Sequence, residues 1–174
     1  MNHIETYTGK LIDPLNPHQD DIEIVDISHA LSMNCRFNGH CSEFYSVAEH
    51  SVYVSKLVPP EIALKGLLHD AAEAYISDVC YPIKLRWPWF KEAEDALLEV
   101  IFDKFGLSND FPEELEFIDR GISILEADRL GIDVNNMVKP PGWDEREIDI
   151  KINVWSPIVA ESMFLEHWQR LTNG

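Results

Sequence analysis

Pro59-Pro60 stands between two stretches that each read as a one-sided apolar helix, and this punctuation constrains the fold more than any other feature of the chain. The first stretch, "VAEHSVYVSKLV", follows Ser46-Val47-Ala48-Glu49, a capping box with Ser46 at the N-cap and Glu49 at N3. Its apolar face runs Val47, Val54, Leu57 and Val58, with His50 at helical spacing from Val47 and Val54. Proline lacks the N–H that an interior turn needs but suits a first turn, so the pair ends one helix and opens the next. The second helix is predicted over about Glu61 to Ile76. A connection this short predicts an antiparallel hairpin, which carries His50 towards the second helix.

That second helix contains "LLHDAAEAYISD", Leu67 to Asp78. Its leucines, alanines, Tyr75 and Ile76 supply apolar surface, yet His69 and Asp70 sit side by side among them and Glu73 follows one turn later. Titratable groups in an apolar segment cost free energy to bury unless they are partnered. Adjacent helical residues point about 100° apart and cannot share a face, but both can reach one ion lying between them. A neutral imidazole and a carboxylate suit a divalent metal. His50 is the natural third ligand. A fourth is expected on a later helix, where "ISILEADRLGI" offers Asp128, beside Leu125 at the edge of a stripe of Ile118, Ile122, Leu125 and Ile132. Aspartate is disfavoured in such a place without a cation.

The rest of the chain reads as one domain over residues 1–174, mainly α with a minor β element; it has no internal repeat, low-complexity tract or linker. "IETYTGKLIDP" predicts a short hairpin, and "DISHALS" a short helix with Asp26 as N-cap. "MNCRFNGHCSEFY" and "CYPIKLRWPW" read as loops. Helices are predicted at about 90–105 and 113–130, and Ser156-Pro157 opens a last one to about Leu171. "REIDIKINVW" alternates Ile148, Ile150, Ile152 and Val154 with polar residues, a strand pattern that predicts pairing with the N-terminal hairpin.

A net charge of −17 argues against partners with a large phosphate backbone or an anionic membrane surface, while leaving room for a small phosphorylated ligand at a local positive site. Three cysteines without a paired framework predict a reduced, intracellular chain. The N-terminus has no apolar core of signal-peptide length and no stretch is apolar enough to span a bilayer, so a soluble cytoplasmic protein is expected. A rival metal set, Cys35, His40, Cys41 and Cys80, has a wider gap than a zinc knuckle and no second close cysteine pair.

The order His…His-Asp…Asp on three helices resembles the pattern of the HD-domain phosphohydrolases. "HDAAEAYISDVCYPIK" resembles the "HDxxE…D…P-x-K" segment of the bacterial 5′-deoxynucleotidases at the same internal spacing. "CRFNGH…SVAEHS" looks like that family's "R-W…SEHS" segment, with Phe37 where the family has Trp, and "EADRL" is similar to its "ADAL". The block "DIEIVDISHALSMNCRFNGH" looks closer to small HD hydrolases of phages and prophages, some of whose relatives are deoxynucleoside triphosphohydrolases. These motifs run from about Asp21 to Gly131.

The resemblance implies an HD-type helical fold and a metal-dependent hydrolase cutting deoxynucleotides at the 5′ α-phosphorus. A 5′-deoxynucleotidase is the first expectation, a triphosphohydrolase such as a dATPase the alternative, and a silent nucleotide-sensing module a third reading. The ligands would be His50, His69, Asp70 and Asp128, around one divalent ion that Mn, Co, Zn, Fe or Ni would satisfy. Glu73 would orient or deprotonate the attacking water. Arg36 would clamp the phosphate and Lys84 add a point charge. Asp78 would read the 3′-hydroxyl of the deoxyribose, Phe37 would pack on sugar or base, and His40 would bond the phosphate or leaving oxygen. Homo-oligomers are expected from the same resemblance, and the host cytoplasm if the gene is phage-borne. Each residue alone has an ordinary explanation, His50 as a core histidine and Asp128 as a surface ion-pair partner; their joint occurrence in order carries the site.

Overall fold

A computed structural model describes residues 2–144, 148 and 150–173. Two short strands, β1 (Ile4–Glu5) and β2 (Leu11–Ile12), pair antiparallel with Ile4 opposite Ile12. The helices that follow are α1 (Ile24–Met33), α2 (Val47–Leu57), α3 (Ala63–Leu68), α4 (Glu73–Ile76), α5 (Tyr81–Lys84), α6 (Pro88–Lys104), α7 (Glu113–Arg129) and α8 (Pro157–Thr172). The expected mainly α architecture with a minor hairpin is what forms.

The α2–α3 hairpin is the centre of the molecule. Val47, Val52, Leu67 and Leu68 join Ile27 and Leu31 of α1, Leu97 and Ile101 of α6, and Phe164 of α8 in the main core. Tyr53, Val54 and Val58 face the other way, onto Leu115 and Ile122 of α7. The two helices approach closely because residue 66 is glycine: a Cβ there would lie 3.0 Å from Val58 Cγ2 and 3.1 Å from Ser55 Cα. That approach brings the His50 and His69 rings to 5.2 Å between centroids.

Four local expectations are corrected. The helix expected over 61–76 is not continuous: a 3₁₀ turn at Pro60–Ile62 precedes α3, and the backbone tightens again over His69–Ala72 before α4. There the Ala71 N–H donates to the Leu68 carbonyl (3.0 Å) and the Glu73 N–H to the Asp70 carbonyl (3.0 Å), i→i−3 bonds that change the spacing of the side chains. Secondly, α1 begins two residues before Asp26, with Glu23 as its N-cap. Asp26 lies buried in the first turn and accepts from the Thr8 N–H (2.7 Å) and hydroxyl (2.9 Å), pinning the hairpin turn to α1. Thirdly, "CYPIKLRWPW" is not loop throughout, since Pro82 opens the single turn α5.

The fourth correction concerns "REIDIKINVW". Arg146, Glu147 and Asp149 lie outside the described residues, and 150–155 form no strand. Val154 adopts φ +50°, which breaks the alternation, and Ile150, Ile152 and Val154 pack on the α2–α7 cluster. The partner of this segment is Glu49. Ser46 caps α2 as expected, its hydroxyl accepting from the Glu49 N–H (3.1 Å), but the Glu49 carboxylate does not complete the box. It is fully buried and accepts from Tyr53 Oη (2.9 Å) and the N–H groups of Asn153 (3.0 Å) and Trp155 (2.6 Å). Removing it strands the Asn153 and Trp155 N–H groups, the second half-buried, and empties a buried site, so Glu49→Ala is expected to lower unfolding free energy by about 2 kcal/mol, read by urea denaturation. A loss within about 0.5 kcal/mol would contradict that role.

Candidate metal centre

His50 enters the centre from the middle of α2, His69 and Asp70 from the tightened turn after α3, and Asp119 from the first half of α7. One ligand atom each of His50, His69 and Asp119 lie within 4.8 Å of one another, so this group could hold a metal ion. His50 Nε2 is 3.0 Å and His69 Nε2 3.6 Å from Asp119 Oδ1. Asp70 Oδ2 is 3.2 Å from His69 Nε2 and 3.8 Å from His50 Nε2.

Both imidazoles are oriented from behind. His69 Nδ1 faces the Gly66 carbonyl at 2.8 Å, and a carbonyl only accepts, so that nitrogen carries the hydrogen. When the ring is neutral its Nε2 therefore presents a lone pair, and this atom is buried with no hydrogen-bond partner. His50 Nδ1 faces both oxygens of Glu126 (2.9 and 3.0 Å), which leaves its Nε2 for the centre. Glu126 is fully buried, also accepts from Tyr45 Oη (2.6 Å), and lies 3.4 Å from Arg36 Nε. A carboxylate behind a histidine is a common way to fix a metal ligand's tautomer. An orphaned Nε2, two fixed rings and two carboxylates fit a divalent cation.

The electrostatics describe a cluster short of positive charge. Burial works to lower the His50 and His69 pKa values, but Glu126 and Asp119 around the first, and Asp70 and Asp119 around the second, leave both raised, His69 strongly. Burial would raise Asp70 and Asp119; His69 beside the first holds it at about 2, and the two histidines beside the second hold it well below the carboxylate range. Glu73 is opposite in sign: burial, then Asp70 and Asp78, push its carboxyl well up. One of its oxygens, Oε2, is buried without a partner, and the other lies 3.4 Å from Lys84 Nζ. Lys84, raised to about 12 against its burial by Glu73 and Glu94, donates to Glu94 at 2.6 Å.

Of the ligands expected from sequence, His50, His69 and Asp70 converge and Asp128 does not. Asp128 lies on the exposed face of α7, nine residues after Asp119. At about 100° per residue that is half a turn of azimuth, so the two carboxylates face opposite ways. Asp119 takes the expected place. Its signal was present: it lies four residues after buried Leu115 and three before buried Ile122, within the inward stripe. Glu126, seven residues after Asp119 on the same face, is the second residue that sequence reasoning missed.

A cavity of about 660 Å³ opens at this centre, with His69, Asp70, Glu73, Lys84 and Asp119 in its wall. Arg36, Phe37, His40 and Asp78 do not line it. Arg36 turns inward: Nη2 donates to Ser123 Oγ (2.8 Å), Nη1 lies 3.6 Å from Asp70, and its guanidinium sits 5.4 Å from the Phe37 ring. Phe37 packs on the α2–α7 cluster, His40 is exposed, and Asp78 is near enough to raise Glu73. Cys35 and Cys41 lie 3.7 Å apart at Sγ, but the rival set with His40 and Cys80 is not brought together among the described residues.

A mainly helical domain with a buried His-Asp centre able to hold a metal is thus the class that fold and site define. No protein-family model matches the chain. It is 42% identical over 135 residues to the uncharacterized protein YfdR of Escherichia coli K12, covering 76% of this chain and 75% of that protein. An uncharacterized protein of Rhodobacter capsulatus is 30% identical over 166 residues, 90% of this chain and 82% of its own. The chain belongs to the YfdR family. Among the described residues no helix is long and apolar enough to cross a membrane.

Proposed function

We propose that the protein is a metal-dependent phosphohydrolase of the HD-domain type that acts on deoxynucleotides in the cytoplasm, first of all a 5′-deoxynucleotidase releasing phosphate from a deoxynucleoside monophosphate. The observation that carries this is the convergence of His50 Nε2, His69 Nε2, Asp70 and Asp119, the last three residues lining a cavity whose wall also holds the buried Glu73. A divalent ion held by the two Nε2 atoms and the aspartates would supply Lewis acidity, neutralising phosphoryl charge and lowering the pKa of water. Glu73 takes the proton of the attacking water; its carboxyl, pushed up by burial and by Asp70 and Asp78, holds a proton more readily than an ordinary glutamate. Water oxygen bonds to phosphorus, the P–O5′ bond breaks, and the 5′-oxygen takes up a proton from solvent while Glu73 gives its own back to solvent. Lys84 holds Glu73 in place and brings one positive charge to the phosphate end.

The charge of the cavity favours the monophosphate over the triphosphate. Its lysines among the described residues, Lys84 and Lys91, are both already paired with Glu73, Glu94 and Asp95, and Glu99 adds negative charge along the wall. A polyphosphate tail there lacks cations to receive it. The test is incubation of the metal-reconstituted protein with a panel of dNMPs and dNTPs and chromatographic product analysis. Phosphate and nucleoside from a dNMP are expected. Triphosphate from a dNTP would replace the monophosphate reading, and no turnover of any nucleotide would end the enzyme reading.

Metal binding is expected to release protons. In the metal-free protein the imidazoles of His50 and His69 titrate above their ordinary value, and an ion requires them neutral. Affinity therefore climbs as pH rises through those raised values and levels off above them. The sign for stability follows: the protonated histidines stabilise the metal-free fold below about 6.5, and that contribution is lost as pH rises through their raised values. Calorimetry in buffers of different ionisation enthalpy measures the release; an affinity unchanged between pH 6 and 8 would contradict it.

A further inference from the structure

The cavity at the metal centre is far larger than a phosphate group needs, and part of its lining has a different character. Beside His69 and Asp119 the wall also includes Leu98 and Phe102 of α6 and Phe111 in the loop before α7. Phe102 is buried, Leu98 is half-buried, and Phe111 leaves 47% of its surface in water. An aromatic ring left half in water on a cavity wall is apolar surface that a flat ligand can cover.

That wall is built in advance. Lys65 of α3 is buried, with 4% exposure, and its ammonium donates to Ser108 Oγ (2.9 Å) and the Asp110 carbonyl (2.7 Å) and pairs with Asp110 Oδ1 (3.1 Å). It lies 5.8 Å from the Phe102 ring. A buried ammonium persists only when its donors are met, so the loop that carries Phe111 is tied at three points to α3. Lys65 stands one turn before His69, and the spacing between the aromatic wall and the metal centre is therefore fixed by one helix.

We infer that Phe111, with Leu98 and Phe102 on the wall of the same cavity, is the docking wall for the heterocyclic base of a nucleoside monophosphate, and that Lys65 is the residue positioning that wall. The identification of the occupant rests on the phosphohydrolase reading, which places the phosphate at the His50–His69–Asp119 end. The rest of the lining offers a half-exposed aromatic ring and carboxylate acceptors but, among the described residues, no unpaired lysine, which suits a flat group bearing N–H donors and not a second phosphate. Phe37, His40 and Asp78, expected from sequence to meet sugar or base, lie outside this cavity.

The test uses the metal-loaded full chain and two substrates that share the same bond: the best cleaved of the four common dNMPs, and 2-deoxyribose 5-phosphate, which lacks a base. Phe111→Ala is expected to lower the ratio of kcat/KM for the nucleotide to that for the sugar phosphate about 10-fold, with a matching rise in the calorimetric Kd for the nucleotide. Phe111→Trp is expected to restore the ratio, and Lys65→Met to lower it with the fold intact by circular dichroism. An unchanged ratio in Phe111→Ala overturns the wall and leaves the hydrolase reading standing, as does a wild type that cleaves the sugar phosphate but binds no nucleotide. If the wild type cleaves neither, calorimetry decides: nucleotide binding that Phe111→Ala weakens upholds the wall without the hydrolase, and no binding overturns both.

Discussion

Asp119→Ala is expected to weaken binding of a divalent ion about 100-fold or more, while Asp128→Ala leaves it within about twofold. Both remove a carboxylate from α7, and their outcomes separate because of azimuth alone. Asp119 Oδ1 lies 3.0 Å from His50 Nε2 and 3.6 Å from His69 Nε2, whereas Asp128 is exposed on the opposite face. Asp119→Ala also unpairs two histidines whose raised pKa values depend on it. The variant is thus expected to give up ion and activity together, with its helical circular dichroism kept. Equal losses from the two substitutions, or a loss confined to Asp128→Ala, would return the ligand to the position that the sequence first suggested.

Glu73→Gln is expected to lower kcat by about 10²- to 10⁴-fold while metal affinity and KM stay near those of the unaltered protein. Glutamine keeps the size of the side chain and an acceptor for Lys84 Nζ, so packing and the Lys84–Glu94 pair survive. What is lost is the ability to take up a proton at the buried oxygen that has no partner among the described residues. A purely structural role would show as lower stability or weaker metal binding with modest change in kcat. Full activity in Glu73→Gln would remove this residue from the chemistry.

The sequence made one half of this centre legible. The Ser46 cap marked where α2 begins and the Pro59-Pro60 break where it ends, and the spacing then put His50 opposite His69. The half on α7 was harder. Ile118 suggested an inward face that Asp128 borders, but Ile118 is only half-buried, while Leu115, Ile122 and Glu126 define the true face and Asp119 lies on it. Glu126 was hidden because a glutamate on a helix is ordinarily solvated; only the tertiary partners His50, Tyr45 and Arg36 reveal it. The same limit governs Arg36, whose charge is met within the protein by Asp70 and Glu126. The alternation in Ile150, Ile152 and Val154 was read as strand because apolar periodicity does not say what the apolar side packs on; here it packs on helices, held by the buried Glu49.

Anomalous diffraction from crystals of the full chain grown with a divalent transition metal tests the metal centre most directly. One strong peak is predicted, bounded by Nε2 of His50, Nε2 of His69 and the carboxylates of Asp70 and Asp119, and absent from Asp119→Ala crystals. A peak at Asp128 or among Cys35, Cys41 and Cys80, or no ordered ion between the two histidines, would contradict it.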